Sequence, residues 1–242
     1  MGTDPPRDRA VGRVADQGIS RGPGDRAVAA FFDFDRTLIS VNSGNLWIRR
    51  ERRLKRLTLR QLLEAAVMLL GYRLSLVDMD ASMKKALSVY RGVREADLAA
   101  WTREWFEAEV RRWVSAGARR ALAEHRAAGH LCVLLTSSSP YLAAAASEHL
   151  GLDGWISSRY QVLDGVLTGE PMLPICYGEG KVVLAESYAR ERGVDLGRSY
   201  FYTDSYTDLP MLLRVGEPRV VNPDLRLHLW ALRRRLKVLS WL

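Results

Sequence analysis

Residues 31–40 read FFDFDRTLIS. Apolar and aromatic residues lead in, and then Asp33 and Asp35 stand one phenylalanine apart. Side chains two apart on a strand point the same way, so both acids aim at one spot at the end of what reads as a buried strand. Burying a carboxylate is costly unless it is paired or binds a metal, and two like charges that close repel. The stretch therefore predicts a cation, or a piece of chemistry, at the tip of a central strand.

Working outward, AVAAFFDFD (27–35) is a near-continuous apolar run, the pattern of a central parallel strand. LCVLLT (131–136) predicts a second buried strand, and PYLAAAASEHLG a helix that stops at Gly151. RYQVLDGVLTGE (159–170) reads as a hairpin around an Asp-Gly turn. GKVVLAESYARERG is a helix, SYFYTD (199–204) a third strand, LPMLLRVG a short helix and PRVVN a fourth strand. PDLRLHLWALRRR predicts a helix with Pro223 near its start, and LKVLSW a closing strand. Strands alternating with helices predict an α/β fold, a Rossmann-like parallel sheet flanked by helices.

Residues 42–128 interrupt this alternation with helical spacing throughout, as in QLLEAAVMLL (61–70). Met79, Met83, Ala86, Leu87 and Tyr90 recur at helical intervals, as do Leu98, Trp101, Trp105, Val110 and Trp113, and both sets read as core. The block is expected to be an inserted all-helical cap, with the catalytic core formed by 27–41 and 129–242. Residues 1–26 are rich in Gly, Pro, Arg and Asp and are expected to be a disordered tail.

The 242 residues are 48% hydrophobic and 26% charged, enough for one sizeable core and an insert. Two cysteines, Cys132 and Cys176, form no disulfide framework, and Cys132 reads as a small core residue. With no long apolar run and no signal-like leader, the expectation is a cytoplasmic protein. The net charge is +8, and RRERRLKRLTLR (49–60) carries seven basic residues against Glu51. That segment admits a solvated helix face, attraction of an anionic substrate, or contact with an anionic membrane surface. No motif or aromatic interleaving points to nucleic acid. His125, His130, His149 and His228 show no metal-ligand spacing and are read as structural.

Ligands of parallel sheets bind at the carboxyl ends of the strands. Asp33, Asp35, Thr136 and Asp204 all fall there, and Asp208 follows in YTDSYTDLP. Four acids without His or Cys suit Mg²⁺, which keeps waters and phosphate oxygens among its ligands. Lys181, in GEGK, would supply a positive charge for a phosphate, and Thr136 and the amides of the following serines would hydrogen-bond its oxygens. Each residue also has a plainer use. Asp208 suits a helix N-cap, Thr136 can simply end a strand, and Lys181 can be a surface lysine, although a cation on a first helical turn opposes the helix dipole.

DFDRT resembles the first motif of the haloacid dehalogenase superfamily of phosphatases, LLT at 134–136 the second, Lys181 the third and DSYTD at 204–208 the fourth. The four occur in family order, and the helical cap between the first two is similar to that of the phosphoserine-phosphatase-like branch. The resemblance implies Mg²⁺-dependent hydrolysis of a small phosphorylated substrate. It casts Asp33 as the nucleophile that becomes an aspartyl-phosphate, and Asp35 as the acid that protonates the leaving oxygen and then activates water. It implies that the Asp33 carboxylate, the Asp35 carbonyl and the Asp204 carboxylate hold the metal, while Asp208 fixes Lys181 or a metal-bound water. Thr37, Thr136, Ser137 and Lys181 then contact the phosphoryl group.

Serine-specific members of that branch carry a Glu where this chain has Asn42, in SVNSGNLW, which argues against phosphoserine itself because an amide lacks the charge an ammonium prefers. Asn42 and Ser43 are therefore candidates for substrate selection, and Lys84 or Lys85 stands nearest to the branch's cap arginine. Phosphoserine, a lipid phosphate of the phosphatidylglycerophosphate type, and a catalytically idle ligand- or membrane-binding relative are the alternatives.

Overall fold

The computed structural model describes residues 11–13, 27–53 and 79–241. Its strands are β1 (Val11–Arg13), β2 (Ala29–Phe32), β3 (Leu131–Thr136), β4 (Gly154–Ser157), β5 (Arg159–Leu163), β6 (Val166–Met172), β7 (Tyr200–Thr203), β8 (Glu217–Val221) and β9 (Val238–Leu239). The α-helices are α1 (Ser43–Arg53), α2 (Met79–Ser88), α3 (Glu95–Trp105), α4 (Ala116–Ala127), α5 (Pro140–Leu150), α6 (Glu179–Arg192), α7 (Leu209–Arg214) and α8 (Leu225–Arg233).

Seven strands form one sheet in the order β1-β4-β3-β2-β7-β8-β9, and every pairing except β1 with β4 is parallel. β2 is central because all four of its residues are buried and both of its faces are covered. Ala30 and Phe32 pack with α4 and α5 on one face, while Ala29 and Phe31 pack with α6, α7 and α8 on the other. The chain leaves β2 for β3 on one side and returns as β7 on the other. The carboxyl ends of β3, β2 and β7 therefore lie side by side, at the switch point where such sheets bind ligands.

Several expectations change. Val11–Arg13, inside the expected 1–26 tail, form β1 and pair antiparallel with Gly154–Ile156. The partner strand β4 has no expectation in the sequence. GWIS is short and fully buried, without the alternation that marks a strand. α4, counted within 42–128, packs on the sheet, where Ala118, Ala121 and Leu122 share a core with Phe32 and Leu134. Trp101, read as core, is 43% exposed. QLLEAAVMLL and the 54–60 part of the basic run lie outside the described residues.

The two linkers of the insertion are tied together. Ser40 N donates to Trp113 O at 2.9 Å, Ser115 N donates to Leu38 O at 3.0 Å, and Ile39 bridges Val114. The β5–β6 hairpin joins the insertion. Gly92 N donates to Leu167 O, Leu167 N to Val93 O, and Glu95 N to Gly165 O, each at 2.8–2.9 Å. Among the described residues no helix is long and apolar enough to cross a membrane.

Candidate active site

Asp33 begins where β2 ends. Its N–H donates to Tyr202 O at 2.8 Å, and the chain then folds back on itself, with Ile39 N donating to Phe34 O at 3.0 Å. Lys181 Nζ donates to Asp33 Oδ1 at 2.8 Å and to Asp208 Oδ2 at 2.7 Å. Lys181 is 2% exposed and Asp208 likewise 2%. Three charged groups from β2, α6 and the start of α7 thus meet with water excluded. Such an arrangement persists only when each charge faces a partner. Thr203 Oγ1 adds a third hydrogen bond to the cluster, donating to Asp208 Oδ2 at 2.7 Å. Asp208 occupies the N-cap position of α7 but makes no side-chain cap bond, so its carboxylate serves Lys181 and Thr203.

Lys181 reaches this position because α6 starts tightly against the loop before it. A Cβ on Gly180 would lie 1.9 Å from Ile175 O, so only glycine allows that approach.

Asp204 follows β7 and is 9% exposed. Its backbone oxygen accepts from Asp224 N at 2.8 Å, and Arg36 Nε lies 3.4 Å from its Oδ2. Burial pushes the Asp33 carboxyl up to about 7, against the pull of Lys181 and with a further push from Asp208. Burial, then the charge of Asp33, raises Asp204 well above the usual carboxylate range. Two buried acids, with the charge of Asp33 opposing ionisation of Asp204, form a hard-oxygen donor set short of positive charge, and this fits a divalent cation such as Mg²⁺. The carboxylates of Asp33 and Asp204 and the carbonyl of Asp35 are the groups that would hold it. Among the described residues, no three His, Cys, Asp or Glu side chains gather closely enough to hold a metal by themselves.

The Asp35 side chain turns to the insertion. Its Oδ1 accepts from Ser43 N at 2.8 Å and its Oδ2 from Asn42 Nδ2 at 3.0 Å. Asn42 and Ser43, expected to select substrate, both hydrogen-bond to Asp35. Thr136 is buried, and its Oγ1 accepts from Ser138 N at 3.1 Å, which leaves the hydroxyl proton to donate elsewhere. Ser137 O accepts from Ser158 Oγ at 3.0 Å, which steadies the loop after β3. Thr37 is fully buried, and its Oγ1 has no hydrogen-bond partner among the described residues. Lys84, a candidate for substrate selection, ion-pairs with Glu170 of β6 at 3.0 Å, and Lys85 is exposed on α2.

Two contributors escaped the sequence reading. Arg36 takes a positive φ of 55° and sets its guanidinium beside Asp204. Asn222 takes a φ of 43°, and its Nδ2 donates to Arg36 O at 2.7 Å while its Oδ1 accepts from Trp241 N at 2.8 Å. The available signal was an Asn-Pro pair just after a strand, which marks a turn and tolerates left-handed backbone.

The haloacid dehalogenase-like hydrolase family matches residues 30–213 of this chain. Phosphoserine phosphatase SerB1 of Mycobacterium tuberculosis is 34% identical over 221 residues, covering 89% of this chain and 71% of that protein. A crystal structure of a protein of unknown function from Bordetella pertussis Tohama I superposes with a TM-score of 0.81 at 26% identity, over 90% of this chain and all of that one. A phospho-aspartyl intermediate analogue of phosphoserine phosphatase superposes with a TM-score of 0.65 at 19% identity, over 90% and 95% of the two chains, a likeness of fold. The chain belongs to the haloacid dehalogenase-like hydrolases. Within them it is a phosphatase of the phosphoserine-phosphatase-like type.

Proposed function

We propose that this phosphatase hydrolyses a small phosphorylated metabolite through an aspartyl-phosphate on Asp33, with Mg²⁺ as cofactor. The observation that carries the reading is the buried contact of Lys181 Nζ with both Asp33 and Asp208, residues 148 and 27 positions away in sequence. Lys181 holds Asp33 Oδ1, so attack on phosphorus falls to Oδ2. As the Asp33–phosphorus bond forms, the bond to the leaving oxygen breaks, and Asp35 gives that oxygen its proton. Asp35 then takes a proton from water, the water oxygen attacks phosphorus, and Asp33 is released with inorganic phosphate. Lys181 and Thr136 stabilise charge on the transferring phosphoryl oxygens, a contribution of about 100- to 1,000-fold per donor. When bound, Mg²⁺ would neutralise phosphoryl charge between Asp33 and Asp204.

Asp33→Asn is expected to lower turnover of an aryl phosphate by about 1,000-fold or more while leaving the circular dichroism spectrum intact. Chelation of divalent ions and addition of beryllofluoride should each abolish activity in the unaltered protein. Full activity in Asp33→Asn excludes the mechanism. The similarity to phosphoserine phosphatase SerB1 places phosphoserine in the substrate panel, beside lipid phosphates and other phosphorylated metabolites.

A further inference from the structure

A leaving-group acid has to sit within hydrogen-bond reach of the departing oxygen, so something has to fix its side-chain torsions. Asn42 lies just past the linker that opens the insertion, and its two side-chain atoms do different jobs. Nδ2 donates to Asp35 Oδ2 at 3.0 Å, while Oδ1 accepts from Asn45 N at 3.0 Å and so caps the first turn of α1. The adjacent Ser43 N donates to the other carboxyl oxygen of Asp35 at 2.8 Å. The acid is thereby seated across the N-terminus of α1.

We propose that Asn42 is a positioning residue for Asp35, holding the acid toward the leaving group and locking it to the first turn of α1. This rests on the reading of the site as an aspartyl-phosphate phosphatase. The chemical type of residue 42 matters. Each carboxyl oxygen has more than one acceptor direction, so an N–H bonded to it does not by itself exclude the transferable proton. A neutral amide therefore serves Asp35 both while it holds that proton and after the proton has moved to the leaving oxygen. A lysine or arginine at this position would hold the carboxylate ionised, and a carboxylate would repel it.

The test is the dependence of kcat/KM on the leaving group, measured for p-nitrophenyl phosphate, phenyl phosphate and an alkyl phosphate. kcat/KM covers every step through departure of the leaving group, so slow hydrolysis of the aspartyl-phosphate does not mask the effect. p-Nitrophenolate departs without a proton, whereas an alkoxide needs one. Asn42→Ser and Asn42→Asp keep an oxygen able to cap α1 but lose the amide donor. Asn42→Ala loses both, and Asp35→Asn marks the limit in which the acid is absent.

In the Ser and Asp variants, kcat/KM for the alkyl phosphate is expected to fall at least about tenfold further than for p-nitrophenyl phosphate, part of the roughly 100- to 10,000-fold that a positioned acid supplies. Asp35→Asn should show the same slope more steeply. Losses of equal size across the three substrates, or no loss, while Asp35→Asn keeps its slope, overturn the proposal and leave Asn42 as a helix cap. If the unaltered protein hydrolyses none of the three, the underlying reading fails, and the proposal fails with it.

Discussion

Two buried polar clusters flank the end of β7 and solve the problem of burial in opposite ways. Around Thr203 and Asp208 the chain keeps charges and matches them, with Lys181 between Asp33 and Asp208. One residue earlier, Tyr202 faces α4, where its hydroxyl lies 2.9 Å from His125 Nε2 and His125 Nδ1 lies 2.8 Å from His130 Nδ1. Burial, and then the charge of His130, pull His125 down to about 4, so the His125 ring stays neutral near pH 7. Neutral hydrogen bonds hold a structure together, whereas charges kept against their desolvation cost mark a place that needs them for chemistry.

The largest effect should come from breaking the charged cluster. Lys181→Met leaves two carboxylates buried without their cation and is expected to cost about 3–5 kcal/mol in urea unfolding, with a fall in turnover of about 100-fold or more. A cost under about 1 kcal/mol would mean that water reaches the pair, and would erase the contrast.

The cluster around His125 should answer to acid. His125 titrates near 6.5 in the unfolded chain and at about 4 in the fold, so between these values the unfolded state binds more protons. Its contribution is complete above about pH 6.5 and is lost as pH falls toward about 4. The Tm of the protein minus that of His125→Phe should therefore shrink over that window, and a flat difference would show that His125 ionises in place.

The smallest effect belongs to the exposed pair of Lys84 and Glu170, whose side chains are 63% and 32% exposed. Lys84→Ala should move Tm by no more than about 2 °C, because exposed ion pairs contribute little. A larger shift would make this pair a structural fastener of the hairpin.

Much of the fold was legible because apolar runs and turn residues act locally. LCVLLT forms β3 with the boundaries its composition predicts, the Asp-Gly pair turns the hairpin, and Gly193 ends α6 with a φ of 62°. β1 and β4 were not legible. A three-residue strand at a sheet edge has no periodicity, and its pairing depends on a partner more than 140 residues away in sequence. In the site, Asp33, Lys181, Asp204 and Asp208 were readable from position, since each falls at a strand end or helix start. Arg36 and Asn222 were not, because their part depends on backbone conformation and on each other. Asn42 was readable as a residue near the site, but its partner was not.

From its sequence alone, this protein has a buried parallel sheet whose strands end in acids, a lysine at a helix start, and therefore chemistry on a phosphorylated compound. These follow from hydrophobic periodicity and from the cost of burying charge, which act wherever the chain goes. The tertiary structure decided what each polar side chain touches: that Asp208 grips Lys181 rather than capping a helix, that Lys84 pairs with Glu170, and that Asn42 faces Asp35. Hydrogen bonds are short and directional, so a partner is settled only once distant segments are brought within about 3 Å of each other.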